Sequence, residues 1–172
     1  MFQSMIEIKR ASLSELELVR EIALETWPVT FANILTSDQI SYMLEWMYDL
    51  EALKSQVMEK NHVFLLAKED GRHLGFCSYE VNCKRDLKTK IHKIYILPDT
   101  QGKGIGRKLI EAVAHIAREK GDTRLYLNVN RHNKSAIDFY GHLGFYEAYK
   151  EVIDIGNGFI MDDVVMEMNI EQ

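Results

Sequence analysis

Three glycines within five residues, Gly102-Lys103-Gly104-Ile105-Gly106, stand between a short apolar run, Ile94-Tyr95-Ile96-Leu97, and a stretch with helical periodicity. Glycine lets the backbone approach a ligand closely, and the first turn of the helix that follows has N–H groups with no acceptor inside the helix. Those amides and the positive end of the helix dipole favour an anion, and Lys103, Arg107 and Lys108 add full charges around the same turn. The chemistry expected of this segment is capture of a phosphate or pyrophosphate. Two common nucleotide patterns do not fit it. The dinucleotide pattern G-x-G-x-x-G requires its third glycine where the chain has Arg107, and the loop G-x-x-x-x-G-K-[ST] fails because no Gly-Lys is followed by Ser or Thr.

What remains is Gln-x-x-Gly-x-Gly at Gln101, Gly104 and Gly106, preceded by Ile94-Tyr95-Ile96-Leu97-Pro98. This resembles motif A of the GNAT superfamily of acetyltransferases. The resemblance continues at Asn133, Ala136, Tyr140, Gly144 and Phe145, which match that family's second cofactor segment, Asn-x-x-Ala-x-x-x-Tyr-x-x-x-Gly-Phe. The two motifs are separated by about one helix and one strand, as in the family, and the resemblance covers nearly the whole chain. It implies acetyl-CoA as co-substrate. Ile94, Tyr95 and Ile96 would bond the pantetheine arm through backbone groups, Gly102, Lys103, Gly104, Ile105, Gly106 and Arg107 would hold the pyrophosphate, and Asn133 would fasten the arm from the other side.

Amine attack on a thioester needs a neutral nitrogen, stabilisation of the oxyanion and a proton for the departing thiolate. By the family match Tyr140 would supply that proton, a role its phenol suits with a reference pKa of about 10. From spacing alone Tyr140 reads as a buried aromatic three residues before Leu143, and its place in the motif reverses that reading. The base is open. Family members often carry a glutamate where this chain has Asn128, and His92, on the same strand face as Ile94, and Glu80 are the candidates in its place. Asn133 has a second reading as a helix cap. Trp27, Phe31, Tyr42, Trp46 and Tyr48 fall in the segment that, by resemblance, shapes the acceptor pocket, although helical spacing also makes them core.

Elements must bring these residues together, and the pattern supplies them in order. Ile6 to Arg10 alternates as a strand, and Leu16 to Thr26 has helical spacing. One or two helices run from Ser37 to Lys60, and Val63–Ala67 and Leu74–Val81 form a hairpin. A strand follows at Lys90–Leu97, then a helix from Gly104 to Lys120, a strand at Leu125–Val129 and a helix capped by Asn133 and ended by Gly144. Phe145–Ile155 and Phe159–Met168 close the chain as a hairpin, and Pro28 and Pro98 mark element boundaries. The expected fold is α+β (α/β), a GNAT fold with a mixed central sheet of about six to seven strands flanked by helices and splayed at the cofactor site. A single domain over 1–172 is expected.

The remaining bounds come from composition. The chain has 172 residues, 47% of them hydrophobic, enough for a core without metal or disulfide staples. Twenty-one basic residues against 26 acidic ones give a net charge of −5, which argues against nucleic acid as partner. Cys77 and Cys83 offer no zinc spacing and read as free thiols, so no metal is expected. No leader pattern and no apolar run of about 20 residues is found, so a cytoplasmic protein with no membrane partner is expected. The function expected is acetyl transfer to a primary amine by direct attack in a ternary complex, with a small amine or polyamine as acceptor. The region around Thr30-Phe31 and Asp38-Gln39-Ile40 resembles the PaiA-like polyamine acetyltransferase branch. Protein N-terminal or lysine acetylation, or acetyl-CoA binding without turnover, stand as alternatives, and a homodimer stays open.

Overall fold

A computed structural model describes residues 5–171, so the first four residues of the N-terminal segment lie outside it. Within that range are seven strands and five α-helices. In chain order they are β1 (Glu7–Arg10), α1 (Leu16–Thr30), α2 (Ser37–Tyr48), α3 (Leu50–Glu59), β2 (Val63–Glu69), β3 (Arg72–Glu80) and β4 (Lys88–Ile96), then α4 (Ile105–Glu119), β5 (Arg124–Asn130), α5 (Lys134–Leu143), β6 (Tyr146–Gly156) and β7 (Phe159–Asn169). The strands form one sheet in the order β1-β2-β3-β4-β5-β7-β6. It is mixed: β4 and β5 run parallel, while β1–β2, β2–β3, β5–β7 and β6–β7 are antiparallel. The parallel ladder ends at Ile91–Leu127, although β4 continues to Ile96 and β5 to Asn130.

The chain divides into two compact units, the first comprising the residues up to Glu80 with Lys93–Val113. Here α1 buries Leu16, Val19, Ile22, Ala23, Thr26 and Trp27, one helical face. Pro28 lies inside the last turn of α1 rather than at a boundary. A proline has no N–H for the carbonyl four residues earlier, but that carbonyl belongs to Leu24, which is exposed to water, and Phe31 N–H still donates to the Trp27 carbonyl at 3.0 Å. Thr36 caps α2 by accepting from the Gln39 N–H at 3.2 Å. The β2–β3 turn places Asp70 and Gly71 at φ +50° and +80°, the positive pair that a two-residue hairpin prefers.

The aromatic residues of this unit are mostly core. Trp27, Phe31 and Tyr48 are buried, with ring centroids 4.6 Å apart for Trp27–Phe31 and 5.8 Å for Trp27–Tyr48. Tyr95 and Phe76 complete the cluster, at 5.5 Å from Trp27 and 6.0 Å from Tyr95 respectively. Only Trp46, stacked on Tyr42 at 6.4 Å, remains exposed. The expected aromatic wall of an acceptor pocket is thus reduced, because the packing of α1 and α2 takes three of its five members.

The second unit comprises Val81–His92 and the residues from Ala114. Its core includes Leu125, Leu127, Val164, Val165 and Met166 on β5 and β7. α5 begins at its Asn133 cap and stops at Gly144, whose φ of +111° is a conformation that favours glycine. Cys77 and Cys83 are buried, and burial pushes the Cys77 thiol far up.

Candidate active site

The turn from Leu97 to Thr100 fixes where the glycine loop begins. Thr100 donates to the Leu97 carbonyl through both its N–H, at 3.0 Å, and its hydroxyl, at 2.8 Å. The Arg72 guanidinium holds Asp99 in the same turn, with Nη2 at 2.9 and 3.2 Å from the two carboxylate oxygens. Gly102 and Gly104 then adopt φ +89° and +73° with open space where a Cβ would point. Their requirement is conformational, since no neighbour crowds them.

The first carbonyl of α4 to accept is that of Gly104, which takes the Lys108 N–H at 3.1 Å. The N–H groups of Ile105, Gly106 and Arg107 therefore have no acceptor within the helix, which is what an incoming oxyanion needs. Ile105 and Gly106 are buried, which seats this end of the helix, whereas Gln101, Arg107 and Lys108 are exposed. Lys103 Nζ donates to Glu69 Oε2 at 2.9 Å, the lysine half exposed and the carboxylate largely buried. Residues 101 to 107 thus form one continuous turn suited to a pyrophosphate.

β4 leads into that turn. A Cβ on Gly75 of β3 would stand 2.9 Å from the Tyr95 carbonyl oxygen and 3.2 Å from Ile96 Cγ1, so only glycine permits this approach of β3 to the Tyr95-Ile96 backbone. The Tyr95 side chain belongs to the aromatic core, while Ile94 and Ile96 are partly exposed. Lys93, which the sequence pattern did not single out, is buried. Its Nζ donates to Gln56 Oε1 at 2.7 Å and lies 5.6 and 5.7 Å from the Tyr48 and Phe64 ring centroids. Gln56 Nε2 in turn donates to the Met47 carbonyl at 3.0 Å, so one buried ammonium ties β4 to the α2–α3 corner.

Glu80, a candidate base, is the last residue of β3. It is partly buried, with its Oε1 at 3.9 Å from Nε2 of His62, a histidine that no motif singles out. His92 is a half-buried residue of β4.

In the second unit Asn133 and Tyr140 share α5. Asn133 Oδ1 accepts from the Ala136 N–H and the Ser135 hydroxyl, each at 3.3 Å, so its capping role is present. Tyr140 is buried beside Phe139 at 5.5 Å and Phe145 at 5.6 Å, and its carbonyl accepts from the Phe145 N–H. The sequence also missed a carboxylate pair at Asn128. Asn128 Nδ2 donates to Glu151 Oε1 at 2.6 Å and to Asp163 Oδ2 at 3.2 Å, and Glu151 and Asp163 face each other across β6 and β7. Burial holds the Asp163 carboxyl above its ordinary range, with the Asn128 hydrogen bond opposing and the Glu151 charge adding. No local pattern announces such a pair, because its members come from strands that meet only in the folded sheet.

Comparison with known proteins gives a consistent picture. Residues 16–145 match the Acetyltransferase (GNAT) family. A spermidine N(1)-acetyltransferase of Thermoplasma acidophilum is 29% identical over 162 residues, 91% of this chain and 96% of that protein. The crystal structure of PaiA N-acetyltransferase from Thermoplasma acidophilum in complex with coenzyme A superimposes with a TM-score of 0.79 at 27% identity, covering 96% of this chain and 99% of the other. The ribosomal-protein-S18-alanine N-acetyltransferase of Escherichia coli shares the fold, with a TM-score of 0.72 at 20% identity over 98% of this chain and 96% of the other. Among the described residues no helix is long and apolar enough to cross a membrane.

Proposed function

The chain belongs to the Acetyltransferase (GNAT) family and is an acyltransferase, and from that premise we propose that it acetylates a primary amine of a small amine or polyamine, with acetyl-CoA as donor. The observation that carries the acceptor class is the similarity to a spermidine N(1)-acetyltransferase along 91% of the chain. The turn at the start of α4 would hold the pyrophosphate through the N–H groups of Ile105, Gly106 and Arg107, with Lys103 and Arg107 neutralising its charge. The backbone of Ile94, Tyr95 and Ile96 would bond the pantetheine arm. Asn133, whose Oδ1 already caps α5, has its Nδ2 as a further donor toward that arm.

The reaction is direct attack by the neutral amine on the thioester carbon. The C–N bond forms as the C–S bond breaks, the amine proton passes to a base, and the departing thiolate takes a proton. Tyr140 is the proposed donor of that last proton. Three groups compete for the amine proton: His92 and Glu80, from their sequence positions, and Asp163, whose burial makes it a better proton acceptor than an ordinary aspartate.

Following free thiol from acetyl-CoA against a panel of polyamines, amino acids and peptides tests the reading. Saturable release with a polyamine or another small amine is expected. Release with peptides alone would move the acceptor to protein substrates, and binding of coenzyme A with no release for any amine would leave a binding module.

A further inference from the structure

The outer edge of the sheet at β6 carries a pattern that acetyl transfer does not use. β6 ends the strand order, and among the described residues its ladder partner is β7. Edge strands are ordinarily kept short, charged or broken by proline, because their outward N–H and C=O groups invite another strand. β6 carries Glu147, Lys150, Glu151 and Asp154, but it is eleven residues long, has no proline and exposes Tyr146, Tyr149, Val152 and Ile153, with Val152 the most exposed at 63%. Its ladder with β7 is uninterrupted from Tyr149 to Asp154, and the register shifts fall outside that stretch.

We propose that β6 pairs antiparallel with β6 of a second copy of this chain, about a two-fold axis at Val152, so that the sheet continues through a homodimer. The register follows from symmetry and charge. The two-fold axis of an antiparallel pair stands perpendicular to the sheet and keeps each side chain on its own face, so a residue can oppose only residues an even number of positions away. Centring on Tyr149 sets Glu147 against Glu151 of the second copy. Centring on Lys150 or on Glu151 sets that residue against its own like charge. Like charges directly opposite one another destabilise a ladder. Centring on Ile153 opposes Val152 to Asp154.

Only the Val152 centre among these opposes unlike charges. There Lys150 faces Asp154 of the second copy, twice by symmetry, while Tyr149 faces Ile155, Glu151 faces Ile153 and Val152 faces itself. Lys150 now lies 3.8 Å from Glu147 in an exposed pair, a contact it can exchange for Asp154 at little cost. Asp154 accepts from the Gly156 N–H through Oδ1 and keeps Oδ2 for the lysine.

The test is cross-linking at the predicted centre. Opposed Cβ atoms in an antiparallel ladder stand about 4.5–5.5 Å apart, close enough for a disulfide after a small adjustment, and the natural thiols Cys77 and Cys83 are buried. Under mild oxidation Val152→Cys should give a disulfide-linked dimer on a non-reducing gel, whereas Tyr149→Cys and the wild type should not. Sedimentation at about 100 µM, well above the Kd of a stable homodimer, should give a dimer for the wild type and a monomer for Val152→Lys. That position is exposed, so the lysine leaves the protomer fold intact. A monomeric wild type overturns the proposal. So does a dimer that Val152→Lys leaves unchanged, or one that cross-links through Tyr149→Cys.

Discussion

At the scale of single residues, what could be read in advance depended on whether a side chain carries its reason locally. Gly102 and Gly104 adopt positive φ, and Gly144 ends α5 in the same region, so the residue type alone announces the backbone. Lys93 gave no such signal, because a lysine alternating with apolar residues in a strand reads as a solvated face. Its burial depends on Gln56, Tyr48 and Phe64 arriving from α3, α2 and β2. Glu151 and Asp163 escaped notice for the same reason: strand pairing, not spacing, sets them beside Asn128. Tyr140 is the proposed donor of the proton to the departing thiolate. Tyr140→Phe keeps the rings packed on Phe139 and Phe145, so its thermal stability should change by less than about 1 kcal/mol. If the phenol is the general acid, kcat should fall by about a hundredfold to ten-thousandfold. Steady-state kinetics beside a melting curve separates the two effects, and unchanged turnover would return Tyr140 to a packing role.

At the scale of elements the apolar periodicity located the strands and the long helices among the described residues, and left open whether 37–60 holds one helix or the two observed, α2 and α3. It erred where a rule of thumb met an exception, as with Pro28, tolerated in the last turn of α1, where the carbonyl it leaves without a donor belongs to the exposed residue Leu24. Gly75 shows how β3 sets the position of β4. In Gly75→Ala the new methyl must push the Tyr95-Ile96 backbone away, at a cost of about 1–3 kcal/mol. Coenzyme A affinity should fall with it, a pairing of effects that calorimetric titration and urea unfolding would reveal. β4, β5, β6 and β7 are further held by a polar network: Lys88 donates to Glu167 at 2.6 Å, and Arg124 and Tyr146 reach its other oxygen at 3.2 and 3.3 Å. Burial pushes the Glu167 carboxyl up, but the Lys88 hydrogen bond and charge, joined by Arg124 and Tyr146, outweigh it and hold the group below its ordinary value of 4.5. Stability from a carboxyl so lowered is fully present above that ordinary value and is lost as pH falls through the folded one. Wild type should therefore exceed Glu167→Gln by about 1 kcal/mol at neutral pH, because Lys88 and Arg124 are partly exposed. Denaturation midpoints measured against pH should show that gap closing in acid. A gap that is constant with pH would rule out the ionic origin.

At the scale of the whole molecule, two spaced motifs in one chain carried the family, because a glycine turn alone specifies only an anion and the segment from Asn133 to Phe145 narrows it. The acceptor was less legible. Three of the five aromatic residues expected around it, Trp27, Phe31 and Tyr48, are drawn into the core, and only packing could decide that. We expect the two compact units to unfold together, since both divisions between them fall inside regular elements, β4 at His92–Lys93 and α4 at Val113–Ala114. One calorimetric transition would agree with that, and two would not. The acceptor is tested by the mass of spermidine after incubation with the purified chain and acetyl-CoA. Gain of a single acetyl group, with one coenzyme A thiol released for each product formed, is the predicted result. Spermidine recovered unmodified while another class of amine or a peptide is acetylated would contradict it.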